Sequence, residues 1–307
     1  RIKSFDEDVK VVLEATGGYH QVVVTKLLTS NIFTVVVNPY IMKKYCATTL
    51  RKAKTDKIDS TRIANYGIDH WLSMTAYCPP DEISKELKLL GRQYEQYVRL
   101  KVGCKIQLAN LLDGVMPGIK SILQGTVPAY STKDKLCDFV EKYWHYDNIK
   151  RMSEKQFLSD YAKWTKKKGY RYNESQAIAI YQLSKNNIPT LKSSTPSTKM
   201  LVLQAVKSLR DVELTLSLII SQMQEIASTL PEYSVVREMK GVGEVLSVRL
   251  IAEIGDIRRF HNGSALVAFA GIDAPPYESG KFAFTILEAQ FIYSHGYPQF
   301  ISMTNIC

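Results

Sequence analysis

Asp56 and Asp59 stand three residues apart in Lys54-Thr55-Asp56-Lys57-Ile58-Asp59. On a helix that spacing puts both carboxylates on one face. Lys43, Lys44, Arg51, Lys52, Lys54, Lys57 and Arg62 crowd the same stretch. Hard carboxylate oxygens among cations suit a site that holds Mg²⁺ while the lysines gather phosphate. Two plainer roles stay open: Asp56 as the cap of the helix, and Asp59 as the partner of a surface Lys or Arg. A third acid, Glu14, ends an apolar, β-branched run, a setting from which carboxylates are ordinarily excluded. Ser279, between Glu278 and Gly280, has the chemistry of a nucleophile, but no histidine base lies near it in sequence. A serine in such a Pro- and Gly-rich loop also serves simply to stabilise the turn.

The stretch Met239-Lys240-Gly241-Val242-Gly243-Glu244-Val245, followed by Leu246 to Ile254, reads as a glycine hairpin between two helices. Glycine has no Cβ, so backbone N–H groups in such a turn can approach a phosphate closely. An ordinary helix-to-helix turn explains one Gly-Val-Gly equally well.

Around these residues the chain predicts alternating elements. Val9 to Glu14 reads as a strand, Thr16-Gly17-Gly18 as a turn and Tyr19 to Ser30 as a helix. Phe33 to Val37 reads as a second strand, stopped by Asn38-Pro39. Strand, helix, strand with short joints argues a βαβ unit and a parallel sheet. A further helix carries Lys57 through Asp69. From Pro79-Pro80 the pattern changes to apolar stripes at steps of three and four. One runs from Leu87 to Leu112 and ends near Met116-Pro117-Gly118, and another runs from Val202 to Leu230. Two such helices suit an antiparallel pair, a dimer-forming coiled coil or packing within one bundle. Lys163 to Lys199 is rich in tyrosine and lysine, and Ser193 to Thr198 reads as an exposed linker.

Composition narrows the classes. A chain of 307 residues with 45% apolar and 23% charged positions buries a core, which excludes disordered and fibrous classes. Its length suggests about two domains. Forty Lys and Arg against thirty Asp and Glu give a net charge of +10, which suits a polyanionic partner and equally a merely basic protein. Val22 to Val37 is interrupted by Lys26 and Asn31, so no membrane span or secretory leader is expected. The five cysteines show no C-x-x-C spacing and the five histidines no H-E-x-x-H, which argues against a disulfide framework or zinc and for a cytoplasmic protein.

Five ordered blocks resemble the insertion-sequence-110 (IS110/IS1111-type) family of DEDD transposases. They are Glu14-Ala15-Thr16-Gly17-Gly18-Tyr19-His20; Val37-Asn38-Pro39; Lys54 to Asp59 with Ile63-Ala64; Gly241-Val242-Gly243 through Ala252 to Phe260; and Ala270-Gly271-Ile272 through Tyr277-Glu278-Ser279-Gly280. Order and spacing agree at both ends, so the resemblance covers nearly the whole chain. It implies an α/β plus α protein: a RuvC-like (RNase H fold) domain over 1–78, a helical coiled-coil and linker region over 79–230, and a C-terminal transposase domain over 231–307 with a helix-hairpin-helix-like turn. Glu14, Asp56 and Asp59 would be the second, third and fourth acids of the DEDD set, meeting around one Mg²⁺ or Mn²⁺ ion, and Ser279 the nucleophile. Lys52, Lys54, Lys57, Arg62, Lys240, Gly241 and Gly243 would contact nucleic acid. The implied partners are element and target DNA, a structured non-coding RNA that chooses them, and further copies of the chain as a dimer or tetramer in the prokaryotic nucleoid.

Two departures shape the expectation. The family's first acid lies on a strand well upstream of Glu14, yet only thirteen residues precede Glu14, and Asp6 and Asp8 are too close to serve. After Gly280 the expected serine-lysine-arginine-glycine block is absent, and Ser294-His295 precedes Gly296 instead. The sequence is therefore expected to be a copy shortened at both ends and weak or inactive. The alternatives are a junction-cutting nuclease that uses water, and a non-catalytic nucleic-acid-binding remnant.

Overall fold

A computed structural model describes residues 8–47, 55–123 and 134–271, together with the backbone of 277–279 and 282–284. The chain divides into two compact units, Arg1–Asp81 and Glu82–Cys307.

The first unit is built on β1 (Lys10–Glu14), α1 (Tyr19–Thr29) and β2 (Phe33–Val37). The strands pair in parallel from Lys10 opposite Phe33 to Glu14 opposite Val37, as the strand-helix-strand pattern predicts. Gly17, at φ +52°, turns the chain out of β1, and Asn31, at φ +53°, turns it out of α1. Both are residue types that tolerate the left-handed region. α2 (Pro39–Cys46) is an addition to the sequence reading. Asn38 and Pro39 do end β2, but they also start this helix: the Asn38 side chain accepts from Tyr40 N at 2.9 Å and proline occupies the first turn. α3 (Asp56–Asp69) follows. Val35, Val37 and Met42 form the small core, with Val12, Tyr45, Ile63, Tyr66 and Met74 packed around it.

Among its described residues, the second unit is helical apart from one hairpin. Its frame is α4 (Glu82–Val115), a 34-residue helix about 50 Å long. Five helices follow: α5 (Ile119–Leu123), α6 (Lys135–Tyr143), α7 (Tyr146–Lys150), α8 (Glu154–Lys168) and α9 (Glu174–Asn186). α10 (Pro196–Ala227) then returns along α4. Leu112 shares a core with Val202, Lys101 pairs with Glu213 at 2.8 Å, and Gly91 lies beside Met223. Those three levels fix an antiparallel pair within one chain. Each fully buried Leu, Ile or Val on the seam contributes roughly 1.5–3 kcal/mol. Ser193 to Thr198 is a linker only in its first half: Ser193 to Thr195 lie in the α9–α10 connection, but Thr195 is the N-cap of α10, Pro196 its first residue, and Thr198 is buried.

The segment between α4 and α10 forms a helical insert with an aromatic core, in which Phe139, Tyr143, Tyr146, Phe157 and Tyr161 are all fully buried. Asp138 fixes this insert to α10. Its carboxylate, only 10% exposed, accepts from Lys168 at 2.8 Å, Tyr170 at 2.5 Å and Arg210 at 2.6 Å. Burial pushes the Asp138 carboxyl up, but those three hydrogen bonds outweigh it and hold the group below the usual carboxylate range.

At the other end of the α4–α10 pair, α11 (Glu232–Glu238) and α12 (Glu244–Ile254) close the second core. Arg249 of α12 pairs with Glu95 and lies over the Tyr94 ring, tying α12 to α4. α13 (Gly263–Phe269) and an antiparallel hairpin of β3 (Tyr277–Ser279) and β4 (Phe282–Phe284) complete the described chain.

Candidate functional site

Two contacts set the direction of α3 on β1. Lys10 Nζ, at the start of β1, donates to the Trp71 carbonyl just past the end of α3, at 2.5 Å. Farther along, Val12 lies against Gly67, where a Cβ would stand 3.0 Å from the Val12 Cγ2. Strand and helix therefore run antiparallel, and the N-terminal turn of α3 points toward the Glu14 end of β1. From the Val12–Gly67 contact, Glu14 lies about 7 Å along the strand. Asp59 lies about 12 Å and Asp56 about 16 Å along the helix. The acids singled out in the sequence share one end of the first unit.

Their surroundings differ. Glu14 is half-buried and Asp56 exposed, and neither side chain makes a hydrogen bond or ion pair among the described residues. Asp59 pairs with Arg62 at 3.3 Å, the surface partnership that its spacing also allowed. The helix cap is Thr55 and not Asp56: the Thr55 hydroxyl accepts from Ile58 N at 3.3 Å, and Asp56 sits one residue inside. The signal for Thr55 is present in the sequence, a threonine directly before the first helical acid. At the turn after β1, Thr16 N donates to His20 Nδ1 at 3.2 Å, a contact that closes the Glu14-to-His20 block upon itself.

Three carboxylates supply the hard oxygen donors that Mg²⁺ or Mn²⁺ takes, and two of the three are uncommitted. They are not gathered into a ligand set, however. Among the described residues no three His, Cys, Asp or Glu side chains stand close enough to hold a metal ion. Of the cations expected to gather phosphate, Lys57 is exposed and Arg62 is half-buried against Asp59. Lys52 and Lys54 lie outside the described residues.

In the second unit, the glycine stretch is a turn between two helices. Gly241 adopts φ +87°, which favours glycine, and Gly243 precedes the first residue of α12 without offering a side-chain cap. Lys240, Gly241 and Gly243 are exposed. Glu244, in the first turn of α12, pairs with Arg237 at 3.3 Å across the turn, so a carboxylate already complements this helix end. Ser279 ends β3, its backbone opposite Phe282. Its side chain, Gly280 and the altered block at 294–296 lie outside the described residues.

A family model described as Transposase, for DEDD transposases of the IS110 type, matches residues 1–117. A second, described as Transposase IS116/IS110/IS902 family, matches residues 233–287. The chain belongs to the IS110 family of transposases. No curated protein matches it. The two matched stretches of this IS110-family transposase hold every site residue read from the sequence: Glu14, Asp56, Asp59 and the nearby cations in the first, Lys240 to Gly243 and Ser279 in the second. The aromatic insert and α10 belong to neither. Among the described residues, no helix is long and apolar enough to cross a membrane.

Proposed function

We propose that this IS110-family transposase cuts and rejoins DNA strands with a divalent ion held by Glu14, Asp56 and Asp59 and with Ser279 as nucleophile. The supporting observation is the antiparallel course of α3 on β1, which directs the first turn of the helix toward Glu14. Mg²⁺ would supply charge stabilisation at the scissile phosphate, and Mn²⁺ suits the same donors. Loading requires Asp59 to leave Arg62 and the first turn of α3 to draw closer to Glu14. Arg62, together with Lys52, Lys54 and Lys57, would then contact nucleic acid.

In the chemical step, the Ser279 oxygen forms a bond to phosphorus while its proton passes, through solvent, to the departing 3′ oxygen. The bond from phosphorus to the 3′ oxygen breaks, leaving a free 3′ hydroxyl and a serine-linked 5′ phosphate. A second hydroxyl reverses the step on the partner strand. The Lys240 to Gly243 turn contacts phosphate, a structured RNA selects the DNA sites, and serine and acids come from different copies of a homo-oligomer. This assigns a RuvC-like catalytic domain to 1–78, a helical region to 79–230 and a transposase domain to 231–307, in a cytoplasmic, nucleoid-associated protein.

Incubating the full chain with element-end DNA and Mg²⁺ tests the reading. A denaturation-resistant protein–DNA adduct that forms with the natural chain and is lost in Ser279→Ala supports it. Cleavage that survives Ser279→Ala without an adduct replaces the serine with water, and the protein is then a nuclease of the junction-cutting kind.

A further inference from the structure

The helical insert, outside both matched stretches, carries a second cationic site. An open cleft of about 530 Å³ is lined by Lys135 at the start of α6, Arg171, Tyr172 and Asn173 in the α8–α9 connection, and Gln176 in α9. That volume lies within the roughly 300–1,000 Å³ typical of ligand clefts. Among the described residues its lining contains two cations and no carboxylate. A second cleft in the insert differs in holding three acids, Asp138, Glu141 and Asp160, each paired with Lys142, Lys168 or Arg210.

Among the described residues Lys135 has no acidic partner. Its ammonium donates to Gln176 Oε1 at 2.5 Å and lies 5.6 Å and 5.9 Å from the ring centres of Tyr161 and Tyr170. Gln176 is itself oriented, accepting from the Tyr161 hydroxyl at 3.1 Å and donating to the Ile122 carbonyl at 2.9 Å. Burial lowers the Lys135 pKa, the cost of keeping a cation among neutral groups. Asp134, next in sequence, is committed to capping α6 at Leu136 and Cys137. Arg171 is exposed and makes no ion pair among the described residues. Tyr172 is 38% exposed, with its ring 6.3 Å from that of Tyr161 behind it.

Two cations with no acidic partner among the described residues, beside a partly exposed aromatic ring, recognise an anion attached to a flat apolar group. We propose that this cleft holds one nucleotide of a single-stranded nucleic acid, its base against Tyr172 and its phosphate between Lys135 and Arg171. A duplex keeps its bases stacked inside and offers the ring no face, whereas a single strand offers a base and a phosphate at every step. An acidic peptide would satisfy the cations but leave the ring without a role. The site goes beyond the strand-transfer chemistry proposed above and does not depend on Glu14, the other acids or Ser279.

Photo-crosslinking of the full chain with short 5-iodouracil-containing oligomers, in deoxy and ribo forms, tests this directly. The expected adduct maps to the peptide containing Arg171 and Tyr172. Affinity for base-bearing oligomers should fall about tenfold in Tyr172→Ala, remain in Tyr172→Phe, and be unchanged by Tyr172→Ala for an abasic oligomer of equal length. Arg171→Gln should weaken binding of both. Tyr172-dependent binding of either sugar supports the site, and the deoxy and ribo arms identify which polymer it takes. Adducts confined to other peptides, or base-bearing binding that ignores Tyr172→Ala, overturn it. Because the readout needs neither metal nor cleavage, its failure is separate from failure of the recombinase chemistry.

Discussion

Val12 lies directly against Gly67, so closely that a Cβ at position 67 would stand 3.0 Å from the Val12 Cγ2. This contact seats α3 on β1 and, through the helix direction, aims Asp56 and Asp59. Gly67→Ala gains up to about 1 kcal/mol of helix propensity but incurs an overpacking cost of about 1–3 kcal/mol. The substitution should therefore be close to neutral or mildly destabilising, and Gly67→Val destabilising by about 2–3 kcal/mol. Val12→Ala should make room for the methyl group that Gly67→Ala introduces, giving a favourable coupling of about 1 kcal/mol in a double-mutant cycle. Chemical denaturation of the natural chain, the two alanine variants and their combination measures it, and additive effects would separate α3 from β1.

Asp138 sets an acid limit on the second unit. Because its folded-state pKa is depressed, its contribution is complete above the ordinary carboxylate value of 3.8 and is lost as pH falls through the lower folded value. Asp138→Asn should cost about 2–4 kcal/mol at pH 7, since Lys168 and Arg210 lose their shared counter-charge. Its loss of stability on acidification below about pH 4 should be correspondingly smaller than in the natural protein. Thermal midpoints from pH 7 down to pH 2.5 test both statements, and parallel curves would remove Asp138 from the acid response.

Gly114 is a second close approach. A Cβ there would meet the Leu191 side chain at 2.7 Å, and the Gly114 carbonyl accepts from Thr190 and Leu191 N at 2.9 and 3.0 Å. The segment leading into α10 is thus strapped to the end of α4. Gly114→Ala should destabilise the second unit by about 1–3 kcal/mol, read as a lower denaturation midpoint, and Leu191→Ala should recover part of the loss. An unchanged midpoint in Gly114→Ala would contradict the packing described.

Binding of nucleic acid should weaken steeply with salt, because the surplus of ten positive charges releases counterions from phosphates. If Lys240 contacts one phosphate, Lys240→Gln should reduce the slope of log affinity against log salt by about one. Fluorescence anisotropy from about 50 to 200 mM salt measures the slope. A slope unaffected by Lys240→Gln removes this residue from the interface.

Elements with strong periodicity are legible in the sequence. Steps of three and four from Leu87 to Leu112 and from Val202 onward become α4 and α10, and the β-branched runs become β1 and β2. The partner of a long apolar stripe is not legible, since an apolar seam reads the same whether it meets its own chain or another. Lys101 with Glu213 and Gly91 with Met223 decide it. Asn38-Pro39 reads as a stop because proline ends strands, yet the pair is equally a helix start. The insert is opaque for a different reason. Its buried surface includes Tyr143, Tyr146, Tyr161 and Trp164, whose polar tips hide part of the apolar pattern. Asp138, the charge that anchors it, draws partners from Lys168, Tyr170 and Arg210, far apart along the chain. At the candidate site the acids are legible by type and spacing. The sequence leaves Asp59 open between metal ligand and surface ion pair, and Asp56 open as the helix cap; the helix geometry pairs Asp59 with Arg62 and gives the cap to Thr55.

Glu14, Asp56 and Asp59 are proposed to share one divalent ion. Electron paramagnetic resonance titration of the full chain with Mn²⁺ measures this without requiring cleavage. The account predicts one site competed by Mg²⁺, weakened at least about tenfold in each of Glu14→Gln, Asp56→Asn and Asp59→Asn and tightened when Arg62→Gln frees Asp59. A Mn²⁺ site that keeps its affinity in Glu14→Gln, or no saturable site in the natural chain, would contradict it.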